Sequence, residues 1–300
     1  MKIVYFTEGP ETLASSRLRC YRPGRALAQA GHDVQFNPER ISGVDVIIIQ
    51  KRAWERFGRR GIETLKQVGA RIVWDVDDLY VWNDPPTDLV DLVTVDTAAK
   101  LKVYPGAVVV PDCLDVDDDA PRKTQHSEWL RSIVWFGGGD NAYHARNAIE
   151  AANQLHLEMT LITNLAGSSL NVGYYDNVHG VQWDVSNIDA AIIAADLVVC
   201  PYVFNGPQPR EWIEAKSANR VYKAWGLGMP VAGTPIPSYI EAGLNYQGET
   251  IDEWRALYTV LAGRQAREYA AEQGYALAQT QRADVIKDAW LRAFEVVYER

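Results

Sequence analysis

Short apolar β runs alternate with helical segments along the chain, and this alternation constrains the fold more than any other feature of the sequence. Residues 2–6 form a β run, and residues 17–30 show a helical pattern that ends at Gly31. We expect Ser15 or Ser16 to cap this helix, and Gly31 to adopt the left-handed conformation after it. Strands that alternate with helices form parallel sheets covered on both faces. The sequence therefore predicts an α/β fold.

The same alternation continues through both halves of the chain. Further strands are predicted over residues 33–36, 44–49, 71–74 and 107–110, then over 132–136, 159–163, 178–181 and 197–200. Helices are predicted over residues 54–68, 141–155 and 186–195, with Ser186 as the cap of the last. Residues 250–300 are predicted to be helical, with breaks near Gly263 and Gly274. The two halves thus share one layout.

Length and composition indicate two domains. The chain has 300 residues, of which 47% are hydrophobic, and this is enough for two cores. We predict two Rossmann-like, doubly wound domains over residues 1–112 and 132–280, joined by an acidic linker over residues 113–131. Residues 281–300 are predicted to form a C-terminal helix that packs back on the N-terminal domain.

The cysteines and the charge distribution limit the classes of function. Cys20, Cys113 and Cys200 are far apart and form no C-x-x-C pair, which favours reduced thiols and no zinc site. With no signal peptide or membrane span predicted, we expect a cytoplasmic protein of a bacterium, or of the host cell if the chain is phage-encoded. The net charge is −9, yet residues 1–60 carry 11 Lys/Arg against 6 Asp/Glu. This asymmetry indicates an anionic partner for the N-terminal part, although solvated helix faces also explain each arginine taken singly.

Residues 210–235 have the pattern of a helix whose first turn binds an anion. Lys216, Ser217 and Asn219 lie at the predicted helix start, Arg220 follows Lys216 by one turn, and Gly228 ends the helix. A helix start offers unpaired N–H groups and the positive end of the helix dipole. Lys216 and Arg220, at i and i+4, would share one face. A capped surface helix with solvated cations is the alternative.

Loops at the carboxyl ends of the predicted strands are further candidates for ligand contact. The Gly137-Gly138-Gly139 turn would let a ligand approach the backbone closely, although a plain turn explains it as well. In the first half, the same rule brings the loop over residues 9–17 and the acidic run over residues 75–78 to one rim.

Several stretches together resemble the GT-B glycosyltransferases, especially the large retaining family that uses nucleotide sugars. The stretches cover most of the chain: SSRLRCYRPGRALAQAGHDV (15–34), VWDVDDLY (73–80), VVVPDCLDV (108–116), IVWFGGGDNAYHARN (133–147), ADLVVCPY (195–202) and KSANRVYKAWGLGMPVAGT (216–234). The last is the most specific, because Lys-Ser-x-x-Arg before a helix ending in G-x-P-V is similar to the family's diphosphate-binding helix. The resemblance implies a donor site on the C-terminal domain, an acceptor site mainly on the N-terminal domain, a cleft between them, and catalysis without metal.

The implied reaction suggests roles for single residues. Glycosyl transfer builds negative charge on the departing diphosphate, so cations held at the phosphate stabilise the transition state most. We assign catalytic roles to Lys216, Arg220 and Asp75. The residues assigned to the donor are Gly137, Gly138, Gly139, His144, Asp184, Ser186, Ser217 and Asn219, with Asp184 and Ser186 at the nucleobase. The residues assigned to the acceptor are Ser16, Arg17, Arg19, Asp77, Arg52 and Arg56.

One feature of the family pattern is missing from this chain. Many members carry two glutamates eight residues apart, the second of them five residues before the glycine of G-x-P. Those positions hold Ala215 and Lys223 here, and Glu214 is one residue out of register. The resemblance therefore supports the fold and the diphosphate contact better than any particular sugar or ribose contact.

The predicted activity is transfer of a hexose from a nucleoside diphosphate sugar to an acceptor hydroxyl, with retention and with neither metal nor a covalently bound cofactor. A UDP-sugar is the favoured donor and a GDP-sugar the second choice. The acceptor is a saccharide or, because residues 1–60 are basic, hydroxymethylated DNA as in phage enzymes with this fold. Two other classes stay open: a non-catalytic nucleotide-sugar-binding protein, given the missing glutamates, and a sugar-nucleotide epimerase, which shares the fold.

Overall fold

The computed structural model describes residues 1–79 and 87–299. The chain forms two compact units, each of which contains one parallel sheet. The first unit consists of Met1–Leu114, Ala215–Ser217 and Thr280–Arg300, and the second of Asp115–Glu214 and Ala218–Gln279. The predicted domain limits stay a prediction, and Tyr80, the last residue of the VWDVDDLY stretch, lies outside the described residues.

The first unit is built on a sheet with the strand order β2-β1-β3-β4-β5-β6. Its strands are β1 (Lys2–Phe6), β2 (Asp33–Phe36), β3 (Val46–Gln50), β4 (Arg71–Val76), β5 (Leu92–Val95) and β6 (Val108–Val109). Alternate residues of β1 and β3 enter two different buried clusters, because successive side chains of a strand point to opposite faces. β5 was not predicted from the sequence, since its four residues lie close to aspartates in a stretch without clear periodicity.

The second unit is built on a sheet with the strand order β11-β10-β7-β8-β9. Its strands are β7 (Ser132–Phe136), β8 (Glu158–Thr163), β9 (Val178–Gln182), β10 (Leu197–Cys200) and β11 (Val231–Gly233). The prediction of two parallel α/β sheets is confirmed. In each sheet the chain changes the side on which it adds strands, between β1 and β3 in the first and between β7 and β10 in the second. Ligands of such sheets bind at the carboxyl ends of the strands that flank this point.

The helices of the first unit include an irregular segment after β1. They are α1 (Ala14–Ser16), a π-helical turn (Arg17–Tyr21), α2 (Arg22–Gln29), a 3-10 helix (Lys51–Arg56), α3 (Gly58–Gln67), a second 3-10 helix (Ala98–Lys102) and α11 (Ala283–Glu299). The predicted cap is wrong, because Ser15 and Ser16 lie inside α1 and no side chain caps it. The left-handed Gly31 is confirmed, with φ of 92°. Trp290 and Phe294 of α11 are buried in the core beneath this sheet, so residues near the C-terminus complete the first unit.

The helices of the second unit begin later than the sequence predicted. They are α4 (Arg146–Gln154), α5 (Ile188–Ala194), α6 (Arg210–Glu214), α7 (Asn219–Gly226), α8 (Pro237–Glu241), α9 (Ile251–Val260) and α10 (Arg264–Ala278). The Ser186 cap is wrong, since Asn187 precedes α5 and no side chain caps it. A 3-10 helix (Gly139–Ala145) replaces the first turns of the helix predicted after the glycines.

Two glycines in the C-terminal part behave differently. The break predicted near Gly263 is confirmed, because α9 ends at Val260 and Gly263 directly precedes α10. The break predicted near Gly274 is wrong, because this glycine lies in the middle of α10. A Cβ at Gly274 would lie only 2.1 Å from Trp225 Cδ1, so the missing side chain lets α7 and α10 pack closely. Gly274 serves helix packing and does not end a helix.

The segment predicted as a linker is bound along the second unit. Lys123 donates its backbone N–H to Leu227 O at 2.9 Å, and its ammonium donates to Ile193 O at 2.9 Å, near the end of α5. Leu130 donates its N–H to Ala262 O at 2.9 Å. The segment passes close to Gly228, since a Cβ at this glycine would lie 2.5 Å from Lys123 O. Residues 115–131 are thus part of the fold of this unit.

Candidate functional site

The carboxyl ends of β7 and β10 meet where the strand order of the second unit changes sides. The glycine turn at residues 137–139 follows β7, and Tyr202 and Val203 follow β10. Gly139 also packs against the loop after β8, because a Cβ there would lie 2.6 Å from Gly167 O. Only glycine allows this approach, and the turn is therefore held in place by its neighbours.

Arg220, the second residue of α7, lies beside this turn. Its guanidinium carbon is 5.0 Å from the centre of the Tyr202 ring and 5.8 Å from that of Trp135, which are cation–π distances. Its Nη1 donates to Phe136 O at 3.5 Å, and a Cβ at Gly137 would lie 3.4 Å from the same nitrogen. No carboxylate of residues 1–79 or 87–299 pairs with this guanidinium. A partly buried cation without a counterion attracts an anion.

The glycine turn and the start of α7 also contain backbone donors. The N–H groups of Gly138 and Gly139 have no acceptor within the described part of the chain. α7 starts after Ala218, and no side chain caps its first turn. Free N–H groups at a turn and at a helix start bind anions together with a cation. We call the Arg220 guanidinium, the glycine turn at residues 137–139 and the first turn of α7 the Arg220 site.

His144, which the sequence assigned to the donor, is fully buried and engaged within the protein. Its Nδ1 accepts the backbone N–H of Val203 at 3.1 Å, and its Nε2 lies 3.4 Å from Gln208 Oε1. Both ring nitrogens therefore already have partners within the protein. The assignment of His144 to the donor stays a prediction, and in this structure the ring contacts the loop after β10.

Lys216 and Ser217 do not share a helix face with Arg220, because α7 begins only at Asn219. Both residues belong to the first unit. Lys216 Nζ lies 3.0 Å from Asp78 Oδ1, and Ser217 donates its hydroxyl to Asp112 at 2.7 Å. Their assignment to the diphosphate stays a prediction, and the argument from i, i+4 spacing is wrong.

The acidic run after β4 is bound by lysines of the first unit. Lys51 Nζ lies 2.8 Å from a carboxylate oxygen of Asp77 and of Asp78. Burial raises the pKa of Asp78, but Lys51 and Lys216 outweigh it and lower that pKa to about 2. Lys51 was missed by the sequence analysis, and it adopts a left-handed backbone with φ of 44°, which is strained for a residue with a side chain.

Arg19 and Asp75 form a buried ion pair in the first unit. Both side chains are fully buried, with Arg19 Nη2 2.5 Å from Asp75 Oδ1, and Thr94 donates its hydroxyl to the same carboxylate at 2.7 Å. Ser16 is also fully buried and donates to Gln50 Oε1 at 2.9 Å. The catalytic role of Asp75 and the acceptor contacts of Arg19 and Ser16 stay predictions, and in this structure all three side chains are buried and bonded within the first unit. They position the strands around them.

The other cations assigned to the acceptor have partners in the first unit. Arg17 donates to Glu11 O at 2.9 Å, Arg52 Nη2 lies 2.9 Å from Glu55 Oε2, and Arg56 donates to Glu8 O at 2.9 Å. Among these contacts, only that of Arg52 with Glu55 pairs a cation with a carboxylate, because Arg17 and Arg56 donate here to neutral backbone carbonyl oxygens. Binding of DNA by this basic part stays a prediction.

The residues assigned to the nucleobase lie exposed after β9. Asp184 Oδ1 accepts the backbone N–H and the hydroxyl of Ser186 at 2.9 and 2.8 Å, and these hydrogen bonds lower the pKa of Asp184. The two residues form a local turn, and their contact with a base stays a prediction.

The structure also shows what occupies the positions of the missing glutamates. Lys223 on α7 is buried between Asp189 Oδ1, at 2.7 Å, and Asp115 O, at 2.8 Å. Glu214 pairs with Arg210 at 2.7 Å. The lysine thus joins α7 to α5 and to the segment after Leu114.

No group of three or more His, Cys, Asp or Glu side chains within residues 1–79 and 87–299 could hold a metal ion. Among the helices that the structure describes, none has the length and apolar character needed to cross a membrane.

Comparison with known proteins gives structural but no sequence matches. No family model matches the chain, and no curated protein sequence matches it. The crystal structure of Anabaena Alr3699/HepE in complex with UDP is similar with a TM-score of 0.67 at 13% identity, over 98% of this chain and 100% of that one. AviGT4, a glycosyltransferase involved in avilamycin A biosynthesis, is similar with a TM-score of 0.61 at 14% identity, over 98% and 97% of the two chains. MurG of Acinetobacter baumannii is similar with a TM-score of 0.50 at 12% identity, over the whole of both chains. The chain therefore has the GT-B fold of these proteins.

Proposed function

We propose that the chain is a glycosyltransferase that moves a hexose from a nucleoside diphosphate sugar, preferably a UDP-sugar, to an acceptor hydroxyl. The observation that carries the proposal is the Arg220 guanidinium, which faces the glycine turn and has no carboxylate partner in the described residues. A diphosphate supplies the missing negative charge. The similarity of fold to a structure solved with UDP supports the same class of ligand.

The chemistry places the largest demand on the Arg220 site. When the bond between the sugar and the diphosphate breaks, negative charge grows on the departing phosphate oxygens. A cation and N–H groups that are already oriented there bind the transition state more tightly than the substrate. Arg220 rests on two aromatic rings, so little reorganisation is needed as this charge develops.

Further roles belong to the same proposal. Lys216 is the second cation for the diphosphate, Ser217 and Asn219 assist it, and Asp184 and Ser186 contact the nucleobase. Asp77 contacts the acceptor together with Arg17, Arg52 and Arg56. We propose retention of configuration. We also propose a reaction without metal, because Lys51 and Lys216 already pair with the carboxylates of Asp77 and Asp78.

A nucleotide-release assay tests the proposal. The protein is incubated with UDP-, GDP- and dTDP-sugars, with and without a panel of saccharide acceptors, and free nucleotide is measured. We expect release of UDP that increases with an acceptor, and its loss in Arg220→Ala but not in Arg255→Ala, which removes an exposed arginine paired with Asp252. Binding of a nucleotide sugar without release would support the non-catalytic class, and a changed sugar still attached to its nucleotide would support an epimerase.

A further inference from the structure

His144 connects two segments at the carboxyl edge of the second sheet. Because Nδ1 accepts the N–H of Val203, the proton of the neutral ring lies on Nε2, which faces the side-chain oxygen Oε1 of Gln208. Gln208 in turn donates its amide N–H to Asn141 Oδ1 at 3.1 Å. The chain of hydrogen bonds fixes the loop after β10 to the 3-10 helix that follows the glycine turn.

The ring of His144 also supports the residue beneath Arg220. It packs edge-on against Tyr202, with 4.9 Å between the ring centres and 71° between the planes. Thr234 fixes the backbone of Tyr202, because its hydroxyl oxygen accepts the Tyr202 N–H at 2.8 Å. The Tyr202 ring also contacts Arg220, whose guanidinium carbon lies 5.0 Å from the ring centre. A continuous set of contacts thus runs from His144 through Tyr202 to Arg220.

We infer that His144 is a positioning residue that keeps Tyr202 under the Arg220 guanidinium and so sets the affinity of the Arg220 site for a diphosphate. An apolar ring of similar size would fill the same space, so packing alone does not require a histidine. Two directed hydrogen bonds, in contrast, specify one path for the loop. This inference deepens the proposed function and rests on it for the identity of the anion as a nucleotide diphosphate.

Two substitutions separate the hydrogen bond from the packing. His144→Phe keeps a ring but removes the acceptor for Val203, whereas His144→Asn keeps an acceptor close to the position of Nδ1. We expect His144→Phe to weaken binding of UDP and of inorganic pyrophosphate by about fivefold to tenfold, the effect of one lost hydrogen bond, as measured by calorimetry. Binding of uridine, followed by ligand-observed NMR, should not change. His144→Asn should restore most of the loss, and His179→Asn, on exposed β9, is the matched control.

Each outcome decides between the claims. Unchanged pyrophosphate affinity in His144→Phe overturns the inference and leaves the proposed function standing. An equal loss of affinity for uridine has the same consequence, because it indicates a general structural effect. Binding of pyrophosphate but not UDP, with the expected dependence on His144, supports the inference and overturns the proposed function. Absence of both ligands from the wild type overturns both. Should His144→Phe fail to fold, Gln208→Leu must weaken pyrophosphate binding in the same direction, and no change there overturns the inference.

Discussion

Gly274 allows a sharp test of how the second unit holds the helix that carries Arg220. A methyl group added by Gly274→Ala would lie 2.1 to 2.4 Å from three atoms of the Trp225 ring, far inside van der Waals contact. Trp225 is only 3% exposed and cannot turn away into solvent. Overpacking of this kind costs about 1–3 kcal/mol and occasionally more, while the higher helix propensity of alanine returns up to about 1 kcal/mol. We expect net destabilisation of about 1–2 kcal/mol.

Thermal unfolding of matched variants measures this effect. Gly263→Ser, at the start of the same helix, has no atom within 4 Å of its new Cβ and places a favoured residue before α10, so its midpoint should match or exceed the wild type. In a Trp225→Leu background, the additional loss from Gly274→Ala should be much smaller, because the ring it strikes is gone. An unchanged or higher midpoint for Gly274→Ala alone would refute the assignment of this glycine to helix packing.

Three further predictions concern the first unit and the reaction. Arg19→Met should lower the free energy of unfolding by about 3–5 kcal/mol, because it leaves Asp75 charged and buried, and chemical denaturation should show a smaller loss when Asp75→Leu is added. Burial raises the pKa of Asp96 to about 6, so the folded state binds a proton that the unfolded chain loses near pH 3.9; the stability of the wild type relative to Asp96→Asn should fall by about 2–3 kcal/mol as the pH rises through this interval, and a difference that does not change with pH would contradict the raised pKa. Glycosyl transfer should survive excess EDTA, since Lys51 already pairs with Asp78, whereas loss of activity that Mg²⁺ or Mn²⁺ restores would contradict a reaction without metal.

Strand positions could be predicted well because parallel strands are buried on both faces and therefore appear as continuous apolar runs. β1, β2, β7 and β10 have the predicted limits. Helix starts were predicted poorly, because a serine near an apolar run was taken as a cap without knowledge of the backbone before it. Gly274 shows the same difficulty, since a glycine that ends a helix and one that admits a neighbouring ring have the same sequence signal.

The site was only partly accessible to sequence analysis. Arg220 and the glycine turn were found, because their signals are local in sequence. The pairing of Arg19 with Asp75 and of Lys51 with Asp78 was not, because the partners of each pair are far apart in the chain. Only the fold shows that these charges are neutralised and that the charge of Arg220 is not, and this difference separates a structural charge from a candidate ligand contact.

Calorimetric titration of UDP into the wild type, Arg220→Ala and Arg255→Ala tests the central claim most directly. Loss of a charge-assisted contact costs about 1.5–3 kcal/mol, so Arg220→Ala should bind UDP about tenfold to a hundredfold more weakly than the wild type. Its thermal unfolding should still show a cooperative transition, which confirms that the variant is folded. Arg255→Ala, whose arginine pairs with Asp252 on the exposed surface of α9, should bind as the wild type does. Equal affinity of Arg220→Ala and the wild type would contradict the claim that Arg220 holds the diphosphate.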